Sequence, residues 1–157
     1  MPETAFKEVR DRCYKMLAYR SRTAYELQTR LEKAGFEPSV IKTVLSWLME
    51  RGLINDRLFA REWIAMRKKA KPVGSGYLRA ELLQKGVDRD IIADELHGYD
   101  EDSQYEAALR LAYGKMSPDA EIKWRRIAGL LFRRGFGRSV INKVYRAIVE
   151  DGRFDIS

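Results

Sequence analysis

Between Ile122 and Val149 the chain carries Lys123, Arg125, Arg126, Arg133, Arg134, Arg138, Lys143 and Arg146 and not one acidic residue. A second cationic group, Arg67, Lys68, Lys69 and Lys71, stands in the middle of the chain, and Arg79 and Lys85 follow it. The chemistry open to such groups is anion binding: clustered guanidinium and ammonium charges attract phosphate backbones or acidic protein surfaces. The alternative is that the runs are solvated helix faces that keep the protein soluble. Two separate clusters, together with 30 Lys and Arg against 23 Asp and Glu and a formal charge of +7, favour a polyanion-facing surface.

Catalytic chemistry finds little support. His97 is the single histidine and sits beside Gly98 at an expected helix end, a place for a cap or surface residue. No Cys or His group has metal-ligand spacing. GSGYLR, Gly74 to Arg79, opens like a dinucleotide loop but lacks the third glycine and a preceding strand, and no GxxxxGK phosphate loop exists. The expectation is a non-enzyme without metal or cofactor. One cysteine, Cys13, leaves no internal disulfide and fits a reducing compartment. With no stretch resembling a signal peptide or membrane span, the reading is a cytoplasmic protein that makes no use of a membrane. Trp47, Trp63 and Trp124 fall at helical core spacing and are assigned to packing.

The elements that carry these charges are announced by a repeated phrase. KAGFEPSVI (Lys33 to Ile41), QKGVDRDII (Gln84 to Ile92) and RRGFGRSVI (Arg133 to Ile141) align on Gly35, Gly86 and Gly135, with Leu31, Leu82 and Leu131 four residues before them. Eight residues before stand Leu27, Leu78 and Ile127; afterwards come Val40/Ile41, Ile91/Ile92 and Val140/Ile141, and the middle copy departs only by Glu95 where valine is expected. A period near 50 residues is an internal repeat. The apolar spacing is helical throughout, with no alternating stretch. Each glycine reads as the residue just past a helix end. Additional amphipathic stretches at Phe6, Val9, Cys13, Leu17, at Phe59, Trp63, Met66, and at Tyr105, Ala108, Ala112 bring each repeat to three helices.

The fold class is therefore all-α: an elongated, curved array of three tandem three-helix repeats, 1–52, 53–99 and 100–152, with a C-terminal tail at 153–157. Thr23 with Glu26 and Ser103 with Glu106 fit capping boxes, and Pro38 and Pro118 suit first helical turns. Lys71 to Gly76 and Gly98 to Asp102 read as hinges. At about 100° per residue, Trp124, Ile127 and Leu131 gather on one side of their helix; Arg125, Arg126 and Arg133, with Gly129 among them, gather on the other. Arg134 and Arg138 continue that cationic side past the turn.

The segment GLINDRLFAREWIAMRKKAKPVGSGYLRAELLQKGV, Gly52 to Val87, resembles the signature of the RecX family through Gly52, Asn55, Asp56, Phe59, Ala60, Arg67, Glu81, Leu82, Lys85 and Gly86. AYRSRTAYEL, Ala18 to Leu27, is similar to the opening of the family's first repeat, so the likeness covers almost the whole chain. Asn55 stands where the family commonly has aspartate, and either residue caps a helix. Tyr77 stands where the family often has arginine. The resemblance implies a monomeric, non-enzymatic modulator that binds the RecA recombinase filament on single-stranded DNA and inhibits its activity or extension in recombination and repair. Direct contact with single-stranded DNA, and with double-stranded DNA as a further partner, belongs to the same implication. It would place the DNA- and recombinase-binding surface on the cations named above.

Two other classes stay open on the residues alone. Helices joined at a glycine turn also describe a helix-turn-helix operator reader, although the polar faces after Gly35 and Gly135 are short of the Asn, Gln and Arg grouping that reads base edges. A helical adaptor binding only protein would leave the basic surface incidental.

Overall fold

The computed structural model describes residues 3–157; Met1 and Pro2, which open the expected first repeat, lie outside the described residues. Among those described, nine helices follow one another with no strand: α1 Glu3–Tyr19, α2 Ala24–Lys33, α3 Pro38–Glu50, α4 Asp56–Ala70, α5 Ser75–Gln84, α6 Arg89–Leu96, α7 Glu101–Gly114, α8 Trp124–Arg133 and α9 Arg138–Asp151. They form three consecutive triplets. An isolated parallel bridge joins Ile122 to Ile156.

The repeat glycines stop α2, α5 and α8 by one mechanism. Gly35, Gly86 and Gly135 have φ of +88°, +76° and +85°, a region costly for a residue with Cβ. The following residue then folds back: Phe36 donates to the Leu31 carbonyl at 3.2 Å, Val87 to Leu82 at 3.0 Å and Phe136 to Leu131 at 3.1 Å. That pairing satisfies carbonyls the helix leaves over, and sets an apolar side chain beside the buried leucine three positions from the helix end.

Helix starts agree in part with the sequence reading. Thr23 and Glu26 form the expected reciprocal box, with Glu26 N–H donating to Thr23 Oγ1 at 3.1 Å and Thr23 N–H to Glu26 Oε1 at 3.2 Å. Pro38 opens α3. Ser103 is not a cap: Asp100 holds the extended backbone, its carboxylate accepts from Ser103 N–H at 2.8 Å, and α7 begins two residues before Ser103. Pro118 lies in the turn before α8 rather than in a helix. Along α4 the buried residues are Phe59, Ala60 and Ile64, while Met66 is exposed because Ile64 takes the inward position instead.

The described residues divide into two compact units, one of residues 3–62 and 82–92, the other of residues 63–81 and 93–157. In the first, Val9 and Cys13 of α1 meet Leu27 and Leu31 of α2 and Val40, Val44 and Leu48 of α3. The turn after α5 rests on the start of α2: Thr23 Oγ1–H donates to the Lys85 carbonyl at 2.6 Å, and Gly86 lies against the Tyr25 side chain with no room for a Cβ.

In the second unit Ala108, Leu111 and Ala112 of α7 pack with Ile127 and Leu131 of α8 and Val140, Val144 and Ile148 of α9. Here the turn after α8 rests on the start of α5. Gly74 N–H donates to the Arg134 carbonyl at 2.7 Å and Gly76 N–H to the Gly135 carbonyl at 3.1 Å. Gly74 and Gly76 occupy the repeat positions of Thr23 and Tyr25, so the same seating occurs once in each unit. The segment Lys71 to Gly76 is thus tied down by main-chain bonds, and by Tyr99 Oη–H donating to the Val73 carbonyl at 2.6 Å, rather than acting as a hinge.

Candidate nucleic-acid interface

Helix α8 is amphipathic in the expected sense. Ile127 and Leu131 enter the core and Trp124 is half-buried against Tyr145, ring centroids 5.0 Å apart. Arg125, Arg126 and Arg133 are exposed on the opposite arc. Cations at its first turn oppose the positive end of the helix dipole, an arrangement costing roughly 0.3–1 kcal/mol per charge that a bound anion reverses.

The same arc carries a residue that charge counting misses. Phe132 is 74% exposed, one helical position before Arg133 and two turns after Arg125. An aromatic ring set among arginines is the combination that single-strand binders use, charge for the backbone and a flat face for bases. Gly129 lies on this arc too: a Cβ built there would stand 3.2 Å from Arg133 Nη1, so the missing side chain lets the Arg133 guanidinium fold back over the helix.

Beside this arc runs a groove of about 510 Å³ lined by Lys115, Lys123, Arg126 and Arg133 over Ile122 and Leu130, with Glu121 as its acidic residue. Lys115, absent from the sequence-level set, arrives here because the α7–α8 connection returns to α8. A second groove is lined by Lys68, Lys69, Lys71 and Arg110.

Several other cations named from the sequence are held by the fold. Arg67 pairs with Glu81 at 2.9 Å and stacks on Trp63, whose indole N–H donates to Glu81 at 3.1 Å. Arg134 donates to the Pro72 carbonyl at 3.3 Å. Lys68 lies 4.2 Å above the Tyr99 ring and Lys71 5.4 Å above Tyr77, which is half-buried and packed rather than offered for stacking. Arg79 and Arg138 are exposed. Lys85 belongs to the first unit, where it lies 3.7 Å from Glu26.

The signature residues prove structural in what they touch. Gly52, φ +71°, ends α3; Asn55 Oδ1 accepts from Leu58 N–H at 3.1 Å and caps α4. Asp56 Oδ1 accepts from Ala24 N–H at 3.0 Å, and Phe59, Ala60 and Leu82 are buried.

Family models agree with this architecture, the first three-helix domain of RecX matching residues 10–48 and the second matching residues 55–96. The chain belongs to the RecX family. Among RecX relatives, "Regulatory protein RecX" of Mycolicibacterium smegmatis is 34% identical over 147 residues, covering 88% of this chain and 78% of that protein. The protein of that name from Chlorobium phaeobacteroides is 30% identical over 151 residues, covering 94% and 100%. The crystal structure of RecX from Lactobacillus salivarius superposes with a TM-score of 0.81 at 22% identity, over 93% of this chain and 97% of that one, a likeness of fold. No described helix is long and apolar enough to cross a membrane.

Proposed function

We propose that this RecX-family chain is a non-enzymatic regulator that binds the RecA recombinase filament on single-stranded DNA and inhibits its activity or extension, with accessory, sequence-tolerant DNA contacts of its own. One observation carries the DNA part of this reading: the outer arc of α8, where Arg125, Arg126 and Arg133 surround the exposed Phe132 and no acidic residue intervenes. The regulatory part is supported by the name its relatives bear. Lys123 and Lys115 extend the α8 surface along the adjoining groove, and Lys69 and Arg79 add exposed charge within the same unit. Such a surface follows a backbone without selecting bases, because arginine and an aromatic face meet every nucleotide alike.

The test is single-strand-dependent ATP hydrolysis by the cognate recombinase, with the chain added below one copy per recombinase. Inhibition is expected. Full hydrolysis at saturating chain, or a site preference of several kcal/mol over random DNA, would sink this reading, the second outcome pointing to an operator reader.

A further inference from the structure

Arg22, in the link between α1 and α2, is only 9% exposed, and its Nε–H has no acceptor in the protein. The carboxylates of Glu26 and Asp56 are already engaged. Glu26 is taken by Arg20 at 2.8 Å, by Lys85 and by its own cap, and Asp56 accepts from Ala24 N–H. Burial depresses the Arg22 pKa, and the like charges of Arg20 and Arg30 act in the same direction, yet a guanidinium stays charged at neutral pH. An uncompensated buried charge is costly to a fold.

Arg22 lines a cleft of about 390 Å³ whose walls include Tyr14, Leu17, Leu53, Leu58 and Phe59. Leu53 and Leu58 are 49% and 44% exposed at its rim. That volume is within the roughly 300–1,000 Å³ of small-ligand clefts. A nucleic-acid backbone fits poorly: one cation serves the whole cleft, Glu62 in the lining opposes any further anion, and much of the wall is apolar, so a single carboxylate is the most the cleft can hold. A carboxylate beside an apolar side chain fits, since a planar guanidinium pairs with it in two parallel hydrogen bonds while the leucines cover its neighbour.

We propose that this cleft docks a segment of a partner protein in which an acidic side chain sits beside an apolar one, the carboxylate pairing with Arg22 and the apolar group lying on Leu53 and Leu58. The proposal rests on the function above only for naming that partner as the recombinase.

Binding of the cognate recombinase, without DNA, is measured for the full chain and for Arg22→Leu and Leu58→Asp, beside binding of an oligothymidylate. Both variants should lose at least tenfold in recombinase affinity and keep oligothymidylate binding, and Arg22→Leu should melt no lower than wild type. Should Arg22→Leu fold poorly, Leu58→Asp at the exposed rim decides. Wild-type recombinase affinity in the folded variants overturns the proposal, and so does selective loss of oligothymidylate, which would make the cleft a nucleic-acid site. If wild type binds no recombinase, the function above fails. The cleft is then judged by the Arg22 Nε–H resonance during titration with acetyl-Leu-Glu-Leu-Glu. A shift absent with acetyl-Leu-Gln-Leu-Gln upholds the cleft, and no shift overturns it.

Discussion

Gly74 and Gly135 meet main chain to main chain: the Gly74 amide donates to the carbonyl just before Gly135, and a methyl group on Gly74 would collide with the carbonyl of Gly135 itself. Gly35 has the same left-handed backbone but nothing within 4 Å of its absent Cβ. Gly35→Ala should therefore cost only the conformational term, about 1–2 kcal/mol. Gly135→Ala and Gly86→Ala, which also strike Tyr77 and Tyr25, should cost clearly more. Denaturant midpoints measure the order, and equal losses at all three positions would refute the seating.

Changing Arg125, Arg126 and Arg133 together to glutamate should leave helical content and melting near wild type. Two of the new carboxylates suit the first turn of α8 and the third opposes its last, so the dipole terms offset in part and leave a small net gain in stability. Single-stranded DNA binding should be lost. In wild type the logarithmic salt slope should reflect roughly 0.7 per neutralised phosphate. A triple variant that binds DNA and inhibits as wild type moves the surface elsewhere.

Phe132→Ala should weaken single-strand binding by about 1–3 kcal/mol, the usual worth of one stacked base, without lowering the melting temperature. Gly129→Ala should do something different: stabilise α8 by up to about 1 kcal/mol while displacing the Arg133 guanidinium and weakening DNA binding. Affinity and melting are read on the same samples. Unaltered affinity in both variants would show that this arc does not meet bases.

Two carboxyls of the first unit should respond to pH in opposite ways. Burial alone would raise Glu26, but hydrogen bonds from Arg20 and the Thr23 amide, with the charge of Lys85, bring it below its usual value. Asp56 is raised, chiefly by burial and against the Ala24 hydrogen bond. Glu26 thus contributes stability that is full above an unfolded pKa near 4.3 and lost as pH falls through its depressed folded value. Asp56 contributes stability that is full below about 3.9 and lost as pH rises through its raised folded value. Unfolding free energies from pH 3 to 7 should show Glu26→Gln flattening the acid limb. Asp56→Asn, which keeps an acceptor for Ala24, should gain on wild type as pH rises. Parallel changes in both variants would contradict the assignment.

Features set by near neighbours in the chain were legible in the sequence. The helix stops at Gly35, Gly86 and Gly135 need only a glycine and an apolar residue after a leucine, and the Thr23–Glu26 cap spans one turn. Asp100 and Ser103 are both good caps, and choosing between them depends on which residue has the extended backbone, a matter of where α7 packs. Gly74 and Gly76 look like slack in a hinge because their reason lies some sixty residues away, at Gly135. Charge counting likewise treats Arg67 as available, although Glu81 claims it from the next helix. Phe132 was hidden by its neighbour Leu131: both are apolar, yet a step of about 100° sends one inward and the other out.

The chain from Asp155 to Ser157 lies where α8 begins. Ile122 N–H donates to the Asp155 carbonyl at 2.7 Å, Ser157 N–H to Ile122 at 2.9 Å, and Trp124 N–H to Ser157 at 3.0 Å. By the register of the repeats, Lys123 and Arg125 stand where Gly74 and Gly76 do, and the tail binds Ile122 and Trp124 on either side of Lys123. The Ile122 and Trp124 amides are spent on the molecule's own backbone. Three main-chain bonds therefore staple residues 155–157 to the entry of α8, holding that short stretch beside the first-turn arginines of the helix.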